Sequence, residues 1–342
     1  MSEFSFWRRA GLTIALCCAT GGGLHAAATE GAPTRSALDA QLFYQLLIGE
    51  MELRNGQAGT AYQVFLDAAR RTRDPQLFRR AMDVALQARA GDEALAATKA
   101  WAQALPNAPH PLRLQLQILT AMNRLGEAAE PLRALIRVTP ADQRNSLLSA
   151  LPRLFERAAD KRQSAQTLAQ VLEPYLAQAA TRTAARVALG RAWLAADDGA
   201  KALALAESAQ ADDPQARGPV LLAIELIRSQ PQAERLVTDH LARPGAEPAL
   251  RLAYVRLLTA TQRYADAIAQ LEVATRAQPD DAPPFLTLGA LHLELRHFAE
   301  ADAALQRYLA LAGPGAAASA EPAASAPGAD ADEDAPLRAD QG

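Results

Sequence analysis

Apolar and small residues recur three and four apart over residues 284–314: Phe285, Leu288, Gly289 and His292, then Phe298, Ala301, Leu305 and Tyr308, closed by Pro314. That spacing marks one face of an α-helix, and the break near Arg296 divides the stretch into two helices joined by a short turn. Thirty-four residues earlier the same face returns as Tyr264, Ala267, Leu271 and Ala274, followed by Pro279. With the small residue of the second helix as a marker, the series becomes Ala61, Ala94, Ala128, Ala165, Ala202, Ala233, Ala267 and Ala301, in steps of 33, 34, 37, 37, 31, 34 and 34. An alanine-rich chain offers an alanine near any chosen place, so the series needs support from other residue types. Gly49, Gly190 and Gly289 precede their markers by 12, where the first helix must pass close to the second. Pro106, Pro140, Pro214 and Pro279 follow theirs by 12, where a residue without an N–H ends a helix. Phe65, Leu132, Leu271 and Leu305 stand four after. The pattern predicts about eight helix pairs, sixteen helices, over residues 42–314.

The middle of the series is irregular. Pro152 falls in the first helix of the fourth pair and Pro174 late in its second, and a proline inside a helix costs about 3 kcal/mol. Either those helices start or stop at the prolines, or residues 143–177 form an atypical pair; the 37-residue steps on both sides favour the second. The sixth pair is shorter, opened by Pro231 and closed by Pro244-Gly245.

Composition agrees with helices. Half the chain is apolar, aromatics make up 5%, and no runs of alternating β-branched residues appear. A net charge of −3 gives no electrostatic case for nucleic acid. Both cysteines, Cys17 and Cys18, lie near the start, so the rest of the chain has no disulfide framework.

Residues 1–28 read as an export signal: Arg8-Arg9, an apolar core over 12–19, and Ala26-Ala27-Ala28 as a cleavage site. The apolar run is too short to span a bilayer. Leu16 precedes Cys17 and Cys17 precedes Cys18, so lipidation at either cysteine departs from the small residue that lipoprotein processing uses. Cleavage after Ala28, giving a periplasmic protein, and lipidation at Cys17 or Cys18, giving an outer-membrane lipoprotein, stand as alternatives; twin-arginine export lacks its flanking residues. Residues 29–41 read as a linker. Residues 315–342 are Ala, Pro, Ser and acids, a composition predicted to stay disordered. Asp330, Asp332 and Asp334 imitate the start of a calcium loop, but Ala335 stands where that loop needs Gly, which leaves a solvated acidic tail.

No nucleophile elbow, phosphate-cradling loop, dinucleotide fingerprint or His-Glu-x-x-His run occurs. His110, His240, His292 and His297 do not group: His292 and His297 are five apart, off a common helix face, and His292 occupies a packed position of its repeat. Asp212-Asp213 and Asp280-Asp281 fall in turns, where they are expected to cap the following helices. The reading is non-enzymatic, with no metal and no cofactor.

The 284–314 unit resembles the tetratricopeptide (TPR) repeat, with His292 and Arg296 where that family has Tyr and a turn Gly. The resemblance implies an all-α fold, a right-handed α-solenoid of about eight TPR-like helix-turn-helix repeats. It also implies a groove, lined by the first helices, that binds peptides or partner proteins. The family's groove positions fall on Glu50, Arg79, Asp83, Arg113, Gln117, Arg191, Arg256 and Glu294. The four arginines suit carboxylates, including the C-terminus of a polypeptide, unless they are solvated or paired with neighbouring acids. The basic run Arg70, Arg71 and Arg73 is accounted for by the negative end of a helix. With nothing visible after Pro314 to cap the array, Leu309 and Leu311 are expected to be partly exposed, a docking or self-association surface.

The opening repeats carry a closer likeness. Leu42-Phe-Tyr-Gln-Leu-Leu-Ile-Gly-Glu50, Gly56, Ala68-Ala-Arg-Arg-Thr-Arg-Asp-Pro75 and Arg79-Arg80-Ala81 resemble the start of a Gram-negative TPR lipoprotein family. A member of it partners a periplasmic carboxyl-terminal processing protease and helps deliver cell-wall hydrolases to it. The likeness covers residues 42 to about 140; the altered lipobox and the shorter array depart from it. What it implies is an envelope adaptor for that protease and its substrates. The alternative is a structural assembly factor for envelope polysaccharide or pilus machinery.

Overall fold

The structure, a computed structural model, describes residues 40–313. The export signal with Cys17 and Cys18, most of the linker, Pro314 and the acidic tail lie outside the described residues. Among the described residues there are sixteen α-helices, three short 3₁₀ segments and no strand. The first four pairs are α1 (Ala40–Arg54) with α2 (Ala58–Thr72), α3 (Pro75–Gln87) with α4 (Gly91–Ala104), α5 (Pro109–Ala121) with α6 (Ala129–Val138), and α7 (Ala141–Ala150) with α8 (Lys161–Ala177). The last four are α9 (Ala179–Ala195) with α10 (Gly199–Asp212), α11 (Arg217–Leu226) with α12 (Glu234–Leu241), α13 (Pro248–Ala260) with α14 (Tyr264–Ala277), and α15 (Ala282–Glu294) with α16 (Phe298–Ala312). Helices pack on their near neighbours in sequence, so the protein is an all-α solenoid of TPR-like pairs. Helix α1 takes in the last two positions assigned to the linker.

All eight marker alanines are completely buried, at 0% exposure. A methyl group is what fits where paired helices cross closely, and anything larger would force them apart. The glycines work on the facing side. A Cβ on Gly49 would stand 2.9 Å from Phe65 Cζ, and one on Gly289 2.7 Å from Leu305 Cγ. Gly190 differs: its Cβ would collide with Leu222 of the next pair, so it admits a neighbouring pair rather than its own partner helix. Helices α4, α6, α10 and α14 end two residues before Pro106, Pro140, Pro214 and Pro279.

The fourth pair is atypical, and its two prolines act differently. Helix α7 stops at Ala150 and continues as a 3₁₀ segment, Leu151–Phe155, with Pro152 in its opening positions. There a missing N–H breaks no helical bond. Pro174 stays inside α8, near its end.

The capping expectation for the paired acids is corrected. Asp281 precedes α15 but makes no side-chain cap bond, because Pro283 and Pro284 lack the N–H groups it would accept from. The Asp213 carboxylate receives the Gln215 N–H at 3.1 Å, within the turn, and α11 begins further on. Asp212 pairs with Arg186 and Asp280 with Arg307. The aspartates that do cap are Asp74, Asp160 and Asp198, which accept from the N–H groups of Gln76, Gln163 and Lys201.

Candidate functional site

Glu50, Asp83, Gln117, Arg191 and Arg256 each stand 11 residues before a marker alanine, so they repeat at one register of α1, α3, α5, α9 and α13. The fourth and sixth pairs interrupt this stripe with Leu154 and Leu222, the latter fully buried. Glu294 lies four residues beyond the register, where α15 has Ala290, and is exposed. Arg79 and Arg113 sit one helical turn before the stripe.

Two of the eight positions are neutralised within the protein. Arg80 of α3 grips Glu50 through Nε at 3.0 Å and Nη2 at 2.8 Å, while its guanidinium lies 5.5 Å from the Phe65 ring centre. Arg191 reaches Glu225 of α11 through Nη2 at 3.0 Å and Nε at 3.2 Å. The bidentate geometry matches guanidinium to carboxylate and ties neighbouring pairs together. Arg79, Arg113 and Arg256 are exposed, and among the described residues their side chains make no ion pair or hydrogen bond. The cationic character expected of the groove therefore resides in three arginines, not four.

Two concavities fall where the repeat is broken. Two cavities flank the 3₁₀ segment and share Arg153 and Glu156. One, of about 350 Å³, is lined by Phe155, Lys161, Leu168, Arg191, Ala192 and Glu225 among others. The second, about 600 Å³, has a mainly apolar lining of Met82, Leu86, Leu114, Ile118 and Leu154, with Gln117 and Arg157 at its polar edge. Both volumes lie in the range of ligand-binding pockets. Lys161 Nζ donates to the carbonyls of Phe155 and Glu156, closing the end of the 3₁₀ segment. Arg153 is exposed, and among the described residues its guanidinium makes no hydrogen bond or ion pair. An apolar trough beside an unpartnered guanidinium can hold an extended peptide with an apolar side chain next to a carboxylate.

Arg153, Glu156 and Leu154 were absent from the groove residues read from the sequence. The signal that marks them is Pro152 with the 37-residue steps: a helix broken early leaves space that a regular pair fills. Of the stripe, Gln117 and Arg191 reach these cavities; Glu50, Arg79, Asp83, Arg113, Arg256 and Glu294 lie elsewhere along the array.

His292 is buried at 8% exposure, with no partner for Nδ1. His297 comes within 5.7 Å ring to ring by crossing the turn rather than sharing the helix. No group of three or more metal-ligating side chains occurs among the described residues. None of the described helices is long and apolar enough to cross a membrane.

No family model matches the protein, and no curated protein does. Among solved structures it is similar to yeast Tom70 at 10% identity, over 78% of this chain and 68% of that one, with a TM-score of 0.34. It is also similar to a tetratricopeptide repeat protein from Parabacteroides merdae at 11% identity, over 82% of this chain and 96% of that one, with a TM-score of 0.29. The fold assignment rests on the protein's own helix pairs and their register.

Proposed function

We propose that the protein is a non-enzymatic interaction scaffold of the cell envelope that holds partner proteins through extended segments. The observation that carries this reading is the pair of cavities joined at Arg153, with an apolar trough on one side and the Arg191–Glu225 pair on the other. The export signal supports placement in the periplasm, either free or anchored through Cys17 or Cys18. The likeness of residues 42–140 to the lipoprotein family supports a carboxyl-terminal processing protease and its cell-wall hydrolase substrates as the partners.

Affinity capture from the envelope fraction, read by mass spectrometry, tests the scaffold. The expected result is a reproducible envelope partner whose recovery drops at least tenfold with Arg153→Glu while circular dichroism stays unchanged. Recovery of no such partner removes the reading, and undiminished recovery with Arg153→Glu moves the site elsewhere on the array. Hydrolase turnover in a deletion strain separates the finer versions: slowed turnover supports the protease adaptor, whereas unchanged turnover leaves the assembly-factor role.

A further inference from the structure

The two ends of the solenoid show faces that its interior covers. Helix α1 buries Leu42 and Gly49, and on the opposite side leaves Phe43, Tyr44, Leu47, Ile48 and Met51 between 44% and 64% exposed. Tyr44, Ile48 and Met51 precede their marker by 17, 13 and 10. In α3 the last two of those positions hold Ala81 and Val84, both 0% exposed; in α15 they hold Leu288 and Leu291, at 8% and 4%. Helix α3 packs on α2 and α15 on α14, so this register belongs to a first helix lying on a preceding pair.

At the far end the relation is reversed. Phe298 and Leu309 are 66% and 50% exposed, and Leu305, Tyr308 and Leu311 are half-buried. Thirty-four residues earlier, Leu271 and Thr275 are covered at 1% and 8%, on the helix against which α15 lies. Helix α16 thus presents the seat of an internal second helix, and α1 presents what would fill it.

The segments on either side of the array are poor in large apolar side chains. After cleavage at Ala28, residues 29–39 offer Leu38 as their one large apolar residue, and residues 314–342 offer Leu337. We propose that α1 of one copy seats on α16 of a second copy, continuing the solenoid head to tail. The exposed apolar area, on the order of 500 Å² on α1 and somewhat less on α16, approaches in sum the ~1,000 Å² at which a specific interface begins. Asp302, where α14 has Ile268, makes the joint weaker than an internal one and so dependent on concentration. A heterologous joint of this kind generates a series that stays open unless its rotation closes a ring, and it does not make an isologous dimer. The joint uses neither of the cavities at Arg153.

Sedimentation velocity on the protein as its host processes it reads the outcome directly. The weight-average mass should climb with concentration through dimer and trimer without a plateau. Ile48→Glu with Met51→Glu spoils the head, Leu309→Glu spoils the tail, and each variant alone should be monomeric with unchanged circular dichroism. Mixed in equal amounts, they should form a discrete dimer, because each keeps the end the other lacks. Wild-type protein that stays monomeric overturns the proposal, as does a mass that plateaus at dimer. So does a mixture that fails to associate.

Discussion

Within a pair, six of the eight turns hold one residue at positive φ, five positions before the marker alanine: Gly56, Arg89, Asn123, Asp197, Gln262 and Arg296. Only the first is glycine, and the two turns without such a residue belong to the irregular fourth and sixth pairs. A left-handed conformation costs a side-chain-bearing residue about 1–2 kcal/mol. Arg89, at φ 59°, and Arg296, at φ 59°, are exposed, and among the described residues their side chains make no hydrogen bond or ion pair that would offset the cost. Arg89→Gly and Arg296→Gly should each stabilise the protein by about 0.5–1 kcal/mol, after the loss of unfolded-state stiffness is deducted. A urea midpoint that falls in both variants would show that these arginines stabilise by a route other than backbone geometry. The marker alanines give the opposite lesson. Being completely buried, they tolerate no enlargement, and that restriction is why alanine spacing disclosed the array.

Among the elements, the sixth pair is one of the two irregular ones, and polar groups secure it. The Glu234 carboxylate receives Arg263 Nη1 at 2.8 Å and the Tyr254 hydroxyl, which links α12 to the pair that follows. Those bonds, Arg263's first, hold its pKa below the ordinary carboxylate value. His240 is buried beside Gln210, whose Nε2 lies 3.3 Å from its Nδ1, and burial followed by the Arg243 charge lowers its pKa. For both groups the unfolded state takes up a proton before the folded one does. The contribution of His240 is therefore intact above its unfolded pKa of about 6.5 and erodes as pH falls from there. Glu234 adds a second loss below about 4.3. The urea midpoint should drop between pH 7 and 5.5 in the wild type and drop less in His240→Gln; equal slopes would exclude His240 as the source. The sequence disclosed the pairs, their number and both irregular members, since a period of about 34 and the positions of proline depend on backbone geometry alone. It did not disclose that Glu50 and Arg191 are already matched. Their partners, Arg80 and Glu225, lie 30 and 34 residues away, and that contact depends on how adjacent pairs pack.

Across the whole molecule the buried apolar side chains fall into two clusters, one from Ala61 to Ala192 and one from Ala202 to Ala304. Helices α9 and α10 pack closely at the division, and their buried residues are largely small, with Ala185, Ala188, Gly190 and Ala192 on α9 and Ala202, Ala206 and Ala209 on α10. Trp193 packs against both clusters, and Lys201 Nζ sits 4.1 Å from the centre of its ring. In a solenoid, stability is the sum of repeat and nearest-neighbour terms, so the junction that shares the fewest large side chains sets where the array divides. Removing the indole takes away the largest side chain bridging the clusters while leaving each cluster's own contacts in place. Trp193→Ala should therefore cost about 2–4 kcal/mol, below the loss for a completely buried tryptophan, and its main effect should be on cooperativity. Hydrogen exchange followed by mass spectrometry along a urea series separates the halves. Peptides from α2–α8 and from α11–α16 should lose protection together in the wild type and at two distinct midpoints in Trp193→Ala. A single shared midpoint in the variant would mean that the contact of α9 with α10 couples the halves without the indole, and that the array unfolds as one unit.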